Sequence, residues 1–279
     1  MDLVLQQSNM IAFNYKNYKK QTINSFLLKK GYSDNNIYYL IKNKNVLVNK
    51  EIVKDKNHLL SFFDEIKVTL LDEENTLLKY ESSLDIVYED EFLLVVNKPY
   101  NIDVEPTKLN NESSLANMVS YYFYKNNINS KIHLVNRLDK LTTGLVIIAK
   151  NQYIHNLFSK VKITKKYLAK VKGKTNKKGT IKIRIEKDEN SIKRIVSDNG
   201  KLCITKYKTL SFDGNNSLVE IDLLTGRTHQ IRVSFAHINH PLVSDSLYRN
   251  KEKEDMFLKA YYLKFKHPIT NKTIKITRK

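Results

Sequence analysis

Two short segments of this chain hold the residues best suited to chemistry on a polyanion. Residues 137–144 read Arg-Leu-Asp-Lys-Leu-Thr-Thr-Gly and place the carboxylate of Asp139 in a polar turn, two residues after an arginine. Residues 224–232 supply two further arginines, Arg227 and Arg232. A carboxylate can act as a nucleophile, a base or a stabiliser of positive charge, and guanidinium groups bind carboxylates and phosphates. We therefore predict a site in which Asp139 acts on a substrate rich in phosphate.

Together the two segments resemble motifs of the RluA-type pseudouridine synthases, which isomerise uridine in large-ribosomal or transfer RNA. The resemblance implies an α+β catalytic domain with a mostly antiparallel central sheet and an active-site cleft, and it identifies Asp139 with the family's catalytic aspartate. Because the reaction is an isomerisation, we expect no metal, redox cofactor or ATP. The alternative for Asp139 is a turn aspartate that accepts hydrogen bonds from backbone amides near Thr142 and Thr143.

The resemblance also implies supporting roles for other residues. Arg232 would pair with Asp139 and keep the carboxylate ionised, because an arginine partner opposes the desolvation that favours protonation. Tyr167 belongs to a Lys-x-Tyr element whose tyrosine stacks on the flipped uracil and is a possible proton acceptor. Arg137 would occupy the space that the flipped base leaves, with an ordinary phosphate contact as the alternative. Two roles stay open for Asp139, attack on the anomeric carbon or removal of the ribose 2′ proton.

Arg227, Lys165 and Lys166 are expected to contact RNA. Arg227 and Arg232 would lie about 140° apart around an α-helix, so they should do different jobs if Thr228 caps a helix here. We assign Arg227 to phosphate or structural contacts. The two lysines belong to the densest basic run of the chain, residues 160–187, which we interpret as a phosphate-tracking surface. A merely solvated basic face is the alternative.

Several positions depart from the family pattern. Asn136 and Glu105 stand where the family has histidine, Asn101 where it has glycine, and Ser234 where it has another histidine. These departures give some weight to an alternative of a different class, a catalytically silent RNA-binding or ribosome-assembly factor on the same fold. The intact set of Asp139, Arg232 and Tyr167 argues against that alternative. A second alternative is a hydrolase that cleaves a glycosidic bond and releases free uracil.

Composition points to an anionic partner. The chain has 48 basic and 29 acidic residues, a formal net charge of +19, so we expect ribosomal RNA, or transfer RNA, as its partner. Lysine is abundant throughout, and the arginines carry more weight because three of only seven lie in the two segments above. His229, His237 and His240 match no common zinc spacing, so no metal site is expected.

The compartment can also be predicted. Cys203 is the only cysteine, which fits a reducing environment. No apolar run reaches the roughly 18 residues of a membrane span, and the N-terminal residues lack the pattern of a signal peptide. We therefore expect a cytoplasmic monomer that does not bind membranes.

The pattern of elements predicts how the site is held. An apolar run at 145–149 directly follows the first segment and is typical of a buried strand. A helix capped by Ser113 or Ser114 precedes that segment, and residues 165–171 alternate as a strand that carries Tyr167. Strands dominate and long crossover helices are few, so the sheet should be mostly antiparallel.

We predict two domains, a small module at 13–72 and the catalytic domain at 84–279. In the module, helices capped by Thr22 and Ser33 precede short strands, a pattern similar to the αL RNA-binding module of a small-subunit ribosomal protein. Residues 34–36 (Asp-Asn-Asn) replace the basic residues usual at the start of its second helix. A packing or partner-binding appendage is therefore the alternative.

An acidic stretch joins the two domains. Most of its carboxylates lie between residues 72 and 91. We place the boundary at 73–83 and interpret that part as a solvated linker, which would repel phosphate and so lie away from RNA.

Overall fold

The computed structural model of the chain describes residues 11–248 and 255–278. Its N-terminal part is a small α/β module. The elements of the module are β1 (Ala12–Lys16), β2 (Gln21–Thr22), α1 (Ile23–Lys29), α2 (Asp34–Lys42), β3 (Val46–Val48), β4 (Glu51–Ile52), β5 (Leu59–Leu60) and β6 (Glu65–Thr69). Four strands form a sheet in the order β1-β6-β3-β4, and β2 pairs with β5, all antiparallel.

Local sequence explains the two helices of the module. The side chain of Thr22 accepts a hydrogen bond from Ser25 N, and that of Ser33 accepts one from Asn36 N, so both predicted caps are confirmed. The chain leaves the first helix through Gly31, whose φ of +95° lies in the region that favours glycine.

The rest of the chain builds one large sheet. Its elements are β7 (Ile86–Glu89), β8 (Leu93–Lys98), α3 (Leu115–Lys125), β9 (His133–Leu134), β10 (Thr143–Ala149), α4 (Gln152–Leu157), β11 (Thr164–Lys172), β12 (Lys178–Lys187), β13 (Arg194–Val196), β14 (Lys201–Phe212), β15 (Asn216–Leu223), α5 (Gln230–His237), β16 (Leu258–Lys266) and β17 (Thr273–Thr277). Among the described residues the strand order is β13-β12-β14-β15-β11-β16-β10-β8-β7, with β17 beside β16 and β9 beside β10.

The sheet is mostly antiparallel, which confirms the α+β prediction. Of the strand pairs in the described ranges, only β10 and β16 run parallel. Strands β8 and β10 are apolar on both faces because each face is covered. Leu94, Val96, Val146 and Ile148 pack in the cluster that includes α3 and α5, and the alternating Leu93, Val95, Leu145 and Ile147 pack towards the module and α4.

Gly144 is required where β10 meets β16. Its φ is +117°, and a Cβ at this position would lie 2.2 Å from the carbonyl oxygen of Ala260. We expect Gly144→Ala to lower the free energy of unfolding by about 2–4 kcal/mol, because the methyl group adds a steric overlap to backbone strain. Urea unfolding followed by circular dichroism measures the loss. Gly214→Ala is the control, since Gly214 has a φ of +98° with no atom within 4 Å of the added Cβ. Equal losses in the two variants would contradict the importance of the close approach.

The module packs against the rest of the chain through aromatic and polar contacts. The rings of Tyr32 and Tyr153 stack with centroids 4.0 Å apart, and the Tyr153 hydroxyl donates to Lys30 O at 3.0 Å. At the start of α2, Asn36 Oδ1 accepts a hydrogen bond of 3.0 Å from Asn156 Nδ2. That end of the helix therefore faces α4, and the division into 13–72 and 84–279 stays a prediction.

The segment at 73–83 lies along α3 without regular secondary structure, and most of its residues are exposed, so its interpretation as a solvated linker stays a prediction. Asn75 Nδ2 donates to Ser120 Oγ at 3.1 Å, and Leu78 O accepts from Asn117 Nδ2 at 2.9 Å. The carboxylate of Glu73 hydrogen-bonds with His133 Nε2. Contacts of this kind leave no charge or periodicity signal, so composition alone did not indicate that the segment lies along α3.

Helices in the described ranges are short. The longest, α3, has 11 residues. None of the described helices combines the length and the apolar character that crossing a bilayer requires.

Candidate active site

The loop that carries Asp139 is tied to the strand that follows it. Asn136 is buried, its Nδ2 donates to Leu145 O at 3.1 Å, and its Oδ1 accepts from Ile147 N at 2.9 Å. The turn itself is closed by Thr142 N, which donates to the backbone carbonyl of Asp139 at 2.9 Å. The Asp139 carboxylate is thus not needed to close the turn. Asn136, where the family has histidine, has a structural role here.

A buried lysine supports the same turn from beneath. The side chain of Lys98, at the end of β8, is fully buried. Its Nζ donates to the carbonyl oxygens of Pro99, Ile102 and Lys140 at 2.9, 2.8 and 2.9 Å. Because Lys140 directly follows Asp139, these bonds restrict the backbone on which the carboxylate is carried.

The surroundings of Lys98 predict a pH-dependent stability. Burial lowers the pKa of Lys98 to about 8 from the ordinary value of 10.5, while the charges of Asp103 and Asp139 oppose the shift. Between those values the unfolded chain holds a proton that the folded chain has released, so this group makes the free energy of unfolding rise with pH. Relative to Lys98→Met, the wild type should gain up to about 1.4 kcal/mol per pH unit in that window.

Urea titrations of wild type and Lys98→Met from about pH 7 to about pH 10 measure this difference. Lys67→Met is the control, because Lys67 is exposed on β6. A difference between wild type and Lys98→Met that does not vary with pH would contradict the prediction.

Arg232 connects Asp139 to a buried carboxylate. Its Nη1 lies 3.9 Å from Oδ2 of Asp139, while Nε and Nη2 donate to the two carboxylate oxygens of Asp245 at 2.8 and 2.5 Å. Asp245 is fully buried and also accepts from the amides of Leu247 and Tyr248. The pairing with Asp139 is therefore the longer of the two ion pairs. Asp245, which sequence analysis did not assign, fixes the orientation of Arg232.

Helix α5 begins one residue later than the Thr228 cap that the sequence suggested would give, and His229 lies at the site. The cap is His229, with a φ of +56°, and not Thr228; no side chain caps this helix. A non-glycine residue in the left-handed region costs energy and is concentrated at functional sites. His229 Nδ1 hydrogen-bonds with the Tyr248 hydroxyl at 3.0 Å, and its Nε2 lies 4.0 Å from Oδ2 of Asp139. Burial lowers the pKa of His229 against the opposing charge of Asp139, so the ring is neutral near pH 7.

Gln230 holds the loop that carries Arg227. Its Oε1 accepts from Thr225 Oγ1 at 3.0 Å and from Arg227 N at 3.1 Å, and its Nε2 donates to Ile204 O at 3.2 Å. Arg227 therefore precedes the helix and lines the cleft wall, whereas Arg232 is buried within the helix. The two arginines occupy different environments for this reason, and not because of their angular separation on one helix.

Strand β11 directs Tyr167 and Lys165 into the cleft. Residues two apart on a strand share a face, and both side chains belong to the cleft lining. Tyr167 is 7% exposed, and burial, together with the charge of Asp139, raises the pKa of its hydroxyl. Tyr167 thus offers a flat ring and a neutral hydroxyl, which does not support a phenolate base. Burial lowers the pKa of Lys165.

Lys166 lies outside the cleft, contrary to its grouping with Lys165. Its Nζ donates to Glu220 Oε2 at 2.8 Å, and the other carboxylate oxygen accepts from the Tyr261 hydroxyl at 2.6 Å. Alternation along β11 sends Lys166 to the opposite face of the strand. The placement of this residue at the RNA site therefore has no support in the structure.

Arg137 stands at the mouth of the cleft. Its Nη1 lies 2.9 Å from Glu105 Oε2, and the two side chains are 70% and 50% exposed. Both residues line the cleft together with Asp139. An ion pair this exposed stabilises the protein little, so a ligand can replace Glu105 at low cost.

The cleft joins these groups in one space. It has a volume of about 690 Å³ and is walled by residues 103–107, 137–140 and 223–228, with Tyr167 and Lys165 from β11. The side chain of Asp139 is 28% exposed, so a ligand can reach it. An accessible carboxylate beside an oriented guanidinium, a flat ring and a cationic rim can bind a phosphate-bearing nucleoside and act on its sugar.

Three functional neighbours of Asp139 were missed or misread from sequence. His229 was considered only as a metal ligand with unsuitable spacing, and no role was predicted for Asp245 or Lys98. The one available signal was the density of polar residues in the segment that contains His229. Nothing in the local sequence pairs Asp245 with Arg232.

Comparisons with known proteins agree with one another. Residues 92–237 match the family model described as RNA pseudouridylate synthase. The chain is 34% identical over 245 residues to an uncharacterized RNA pseudouridine synthase of Bacillus subtilis, covering 84% of this chain and 81% of that protein. It is 35% identical over 269 residues to the ribosomal large subunit pseudouridine synthase D of Buchnera aphidicola, covering 87% and 85%.

A solved structure gives the same result. Human RNA pseudouridylate synthase domain containing 1 superposes with a TM-score of 0.59 at 26% identity, covering 72% of this chain and 86% of that one. The family model, the sequence relatives and the solved structure therefore indicate one family. The chain belongs to the RNA pseudouridylate synthase family, isomerases that convert uridine to pseudouridine in RNA.

Proposed function

We propose that this isomerase acts on ribosomal RNA of the large subunit, with Asp139 as its catalytic residue. The observation that supports Asp139 most directly is its position, partly exposed in the cleft beside Arg232, whose guanidinium is oriented by Asp245. The choice of RNA rests on relatives named ribosomal large subunit pseudouridine synthase, D in Buchnera aphidicola and C in Rickettsia felis.

The reaction breaks the bond between uracil N1 and ribose C1′, turns the base, and forms a bond between C5 and C1′. Positive character develops at C1′ as the glycosidic bond weakens, and a carboxylate beside this carbon stabilises it or attacks it. The proton on C5 is lost and N1 regains one, so the atoms balance. In our proposal Arg232 keeps Asp139 ionised when bound RNA excludes water from the cleft, and Tyr167 packs on the face of the turning base.

The target nucleotide must leave its stack to reach Asp139. We assign Arg137 to the space that the base vacates, because its guanidinium is exposed at the mouth of the cleft and its ion-pair partner among the described residues is the exposed Glu105. Arg227 and Lys165 would contact the flanking phosphates. Binding by these cations should weaken as salt concentration rises.

The test is the release of tritium from transcripts labelled at uridine C5, together with mapping of pseudouridines in cells with and without the gene. Carbodiimide-dependent reverse-transcription stops should disappear from large-subunit ribosomal RNA when the gene is absent. Loss of stops only in transfer RNA would overturn the proposed substrate. Binding without tritium release would favour the catalytically silent factor, and free uracil would indicate a hydrolase.

A further inference from the structure

The sheet of the N-terminal module has an exposed face with a basic groove. Cross-strand register places Lys67 beside Asn14 and Leu47, and Lys16 opposite Glu65. The groove has a volume of about 600 Å³, and its charged lining consists of Lys16, Lys50, Lys67 and one acid, Glu65. Three lysines against one carboxylate make this groove attractive to a phosphate backbone.

The opposite face of the same sheet is already occupied. Alternation along β1 sends Phe13 and Tyr15 inwards, where the Phe13 ring lies 6.1 Å from that of Phe92 and 5.4 Å from that of Tyr153. The start of α2 is likewise covered, through the bond between Asn36 and Asn156. Of the three surfaces compared, namely the two faces of the sheet and the start of α2, the face with the groove is the one left exposed.

An exposed aromatic cluster lies at one end of the groove. The ring centroid of Phe63 is 6.1 Å from that of Tyr18 and 6.4 Å from that of Phe62. The three rings are between 55% and 62% exposed. Lys16 Nζ lies 5.4 Å from the Phe63 centroid, so this one lysine belongs to both the groove and the cluster.

Phe63 is also held in a strained conformation. Its φ is +70°, a region that costs a bulky side chain roughly 1–2 kcal/mol. Its amide donates to Asn17 O at 2.8 Å, which ties the turn to the end of β1. The ring gains little burial in return for this strain, and an exposed ring under backbone strain is the pattern expected of a binding residue.

We propose that this face binds single-stranded RNA, with bases stacked on Phe63 and Tyr18 and phosphates along Lys16, Lys50 and Lys67. A positively charged groove that ends in exposed aromatic rings is the combination by which proteins hold unpaired RNA without sequence preference. The inference rests on the RNA substrate proposed above and deepens it, since it adds a second contact outside the cleft. The charge of the groove favours RNA over a protein partner.

The test measures binding of fluorescein-labelled oligouridine of about ten nucleotides by fluorescence anisotropy, with a duplex of equal length for comparison. Phe63→Gly removes the ring and relieves the strain at φ +70°, so loss of binding cannot be attributed to unfolding. Its dissociation constant for oligouridine should rise about tenfold, with little change for the duplex. Lys67→Gln should lower the slope of log affinity against log salt by about 0.7.

The matched control is Tyr38→Ala. Tyr38 is 58% exposed in the same module and has Lys42 Nζ 5.9 Å from its ring, yet it lies on α2, outside the groove lining. Its affinity for oligouridine should equal that of wild type. Wild-type affinity in Phe63→Gly would overturn the proposal in favour of a protein-docking surface, and equal losses in Phe63→Gly and Tyr38→Ala would overturn it too. Binding is measured without turnover, so a failure of tritium release would refute the proposed function alone.

Discussion

Asp139→Asn should abolish pseudouridine formation while the protein still folds and binds RNA. The amide has nearly the size of the carboxylate, but it is neither a nucleophile nor a base, and it carries no charge to stabilise positive character at C1′. We expect the rate of tritium release at saturating RNA to fall by about 10³-fold or more. RNA affinity should be unchanged or slightly higher, since one negative charge is lost from the cleft.

Asp103→Asn is the matched control for this experiment. Asp103 lines the same cleft, and its Oδ2 lies 3.5 Å from Lys140 Nζ. Its loss removes a carboxylate from the cleft without touching the Arg232 pair, so tritium release should stay within about tenfold of wild type. Activity of Asp139→Asn near that of wild type, or an equal loss in Asp103→Asn, would contradict the assignment of Asp139.

Asp245→Ala should destabilise the protein strongly. It leaves the guanidinium of Arg232, which is 5% exposed, without the two charge-assisted hydrogen bonds that now satisfy it. Breaking a buried ion pair by removing one partner costs about 3–5 kcal/mol, because the other charge stays buried. Urea unfolding measures the loss. A change below about 1 kcal/mol would mean that the pair is not buried in solution.

Two further variants separate stability from chemistry at this pair. Removing both charges in Asp245→Ala/Arg232→Met should cost less than the sum of the single losses, because no unpaired charge stays behind. Asp245→Asn keeps the shape and one acceptor, and should fold with a smaller loss. Tritium release by Asp245→Asn should nevertheless fall at saturating RNA, since Arg232 is then free to turn away from Asp139. Full activity in Asp245→Asn would contradict the positioning role.

The elements predicted correctly from the sequence are those that form through interactions between nearby residues. Caps at Thr22, Ser33 and Ser114 begin helices where expected, because a cap bonds an amide only two or three residues away. The apolar run at 145–149 is a strand buried on both faces. The cap considered at Thr228 lies instead at His229, whose left-handed conformation residue type alone does not indicate.

Contacts between residues that are distant in the sequence could not be predicted from local patterns. Lys98 Nζ donates a hydrogen bond to the backbone carbonyl of Lys140, 42 residues further along the chain. Lysine side chains are usually exposed, so the burial of Lys98 could not be predicted from its residue type. Which of Lys165 and Lys166 faces the cleft depends on which face of β11 is turned towards the cleft. A strand pattern specifies alternation, but the packing of the whole sheet chooses the inner face.

By itself, the sequence determined the chemical groups and their local carriers: Asp139 in a tight turn before a buried strand, Tyr167 on an alternating strand, and an arginine-bearing segment ahead of a short helix. Tertiary structure alone decided how those groups are used, since it placed Asp245 behind Arg232, His229 beside Asp139 and Lys98 beneath the turn. The physical reason is that short-range hydrogen bonds and side-chain periodicity are encoded within a few residues. Burial and charge pairing, which set orientation and pKa, arise only when distant segments exclude water from one another.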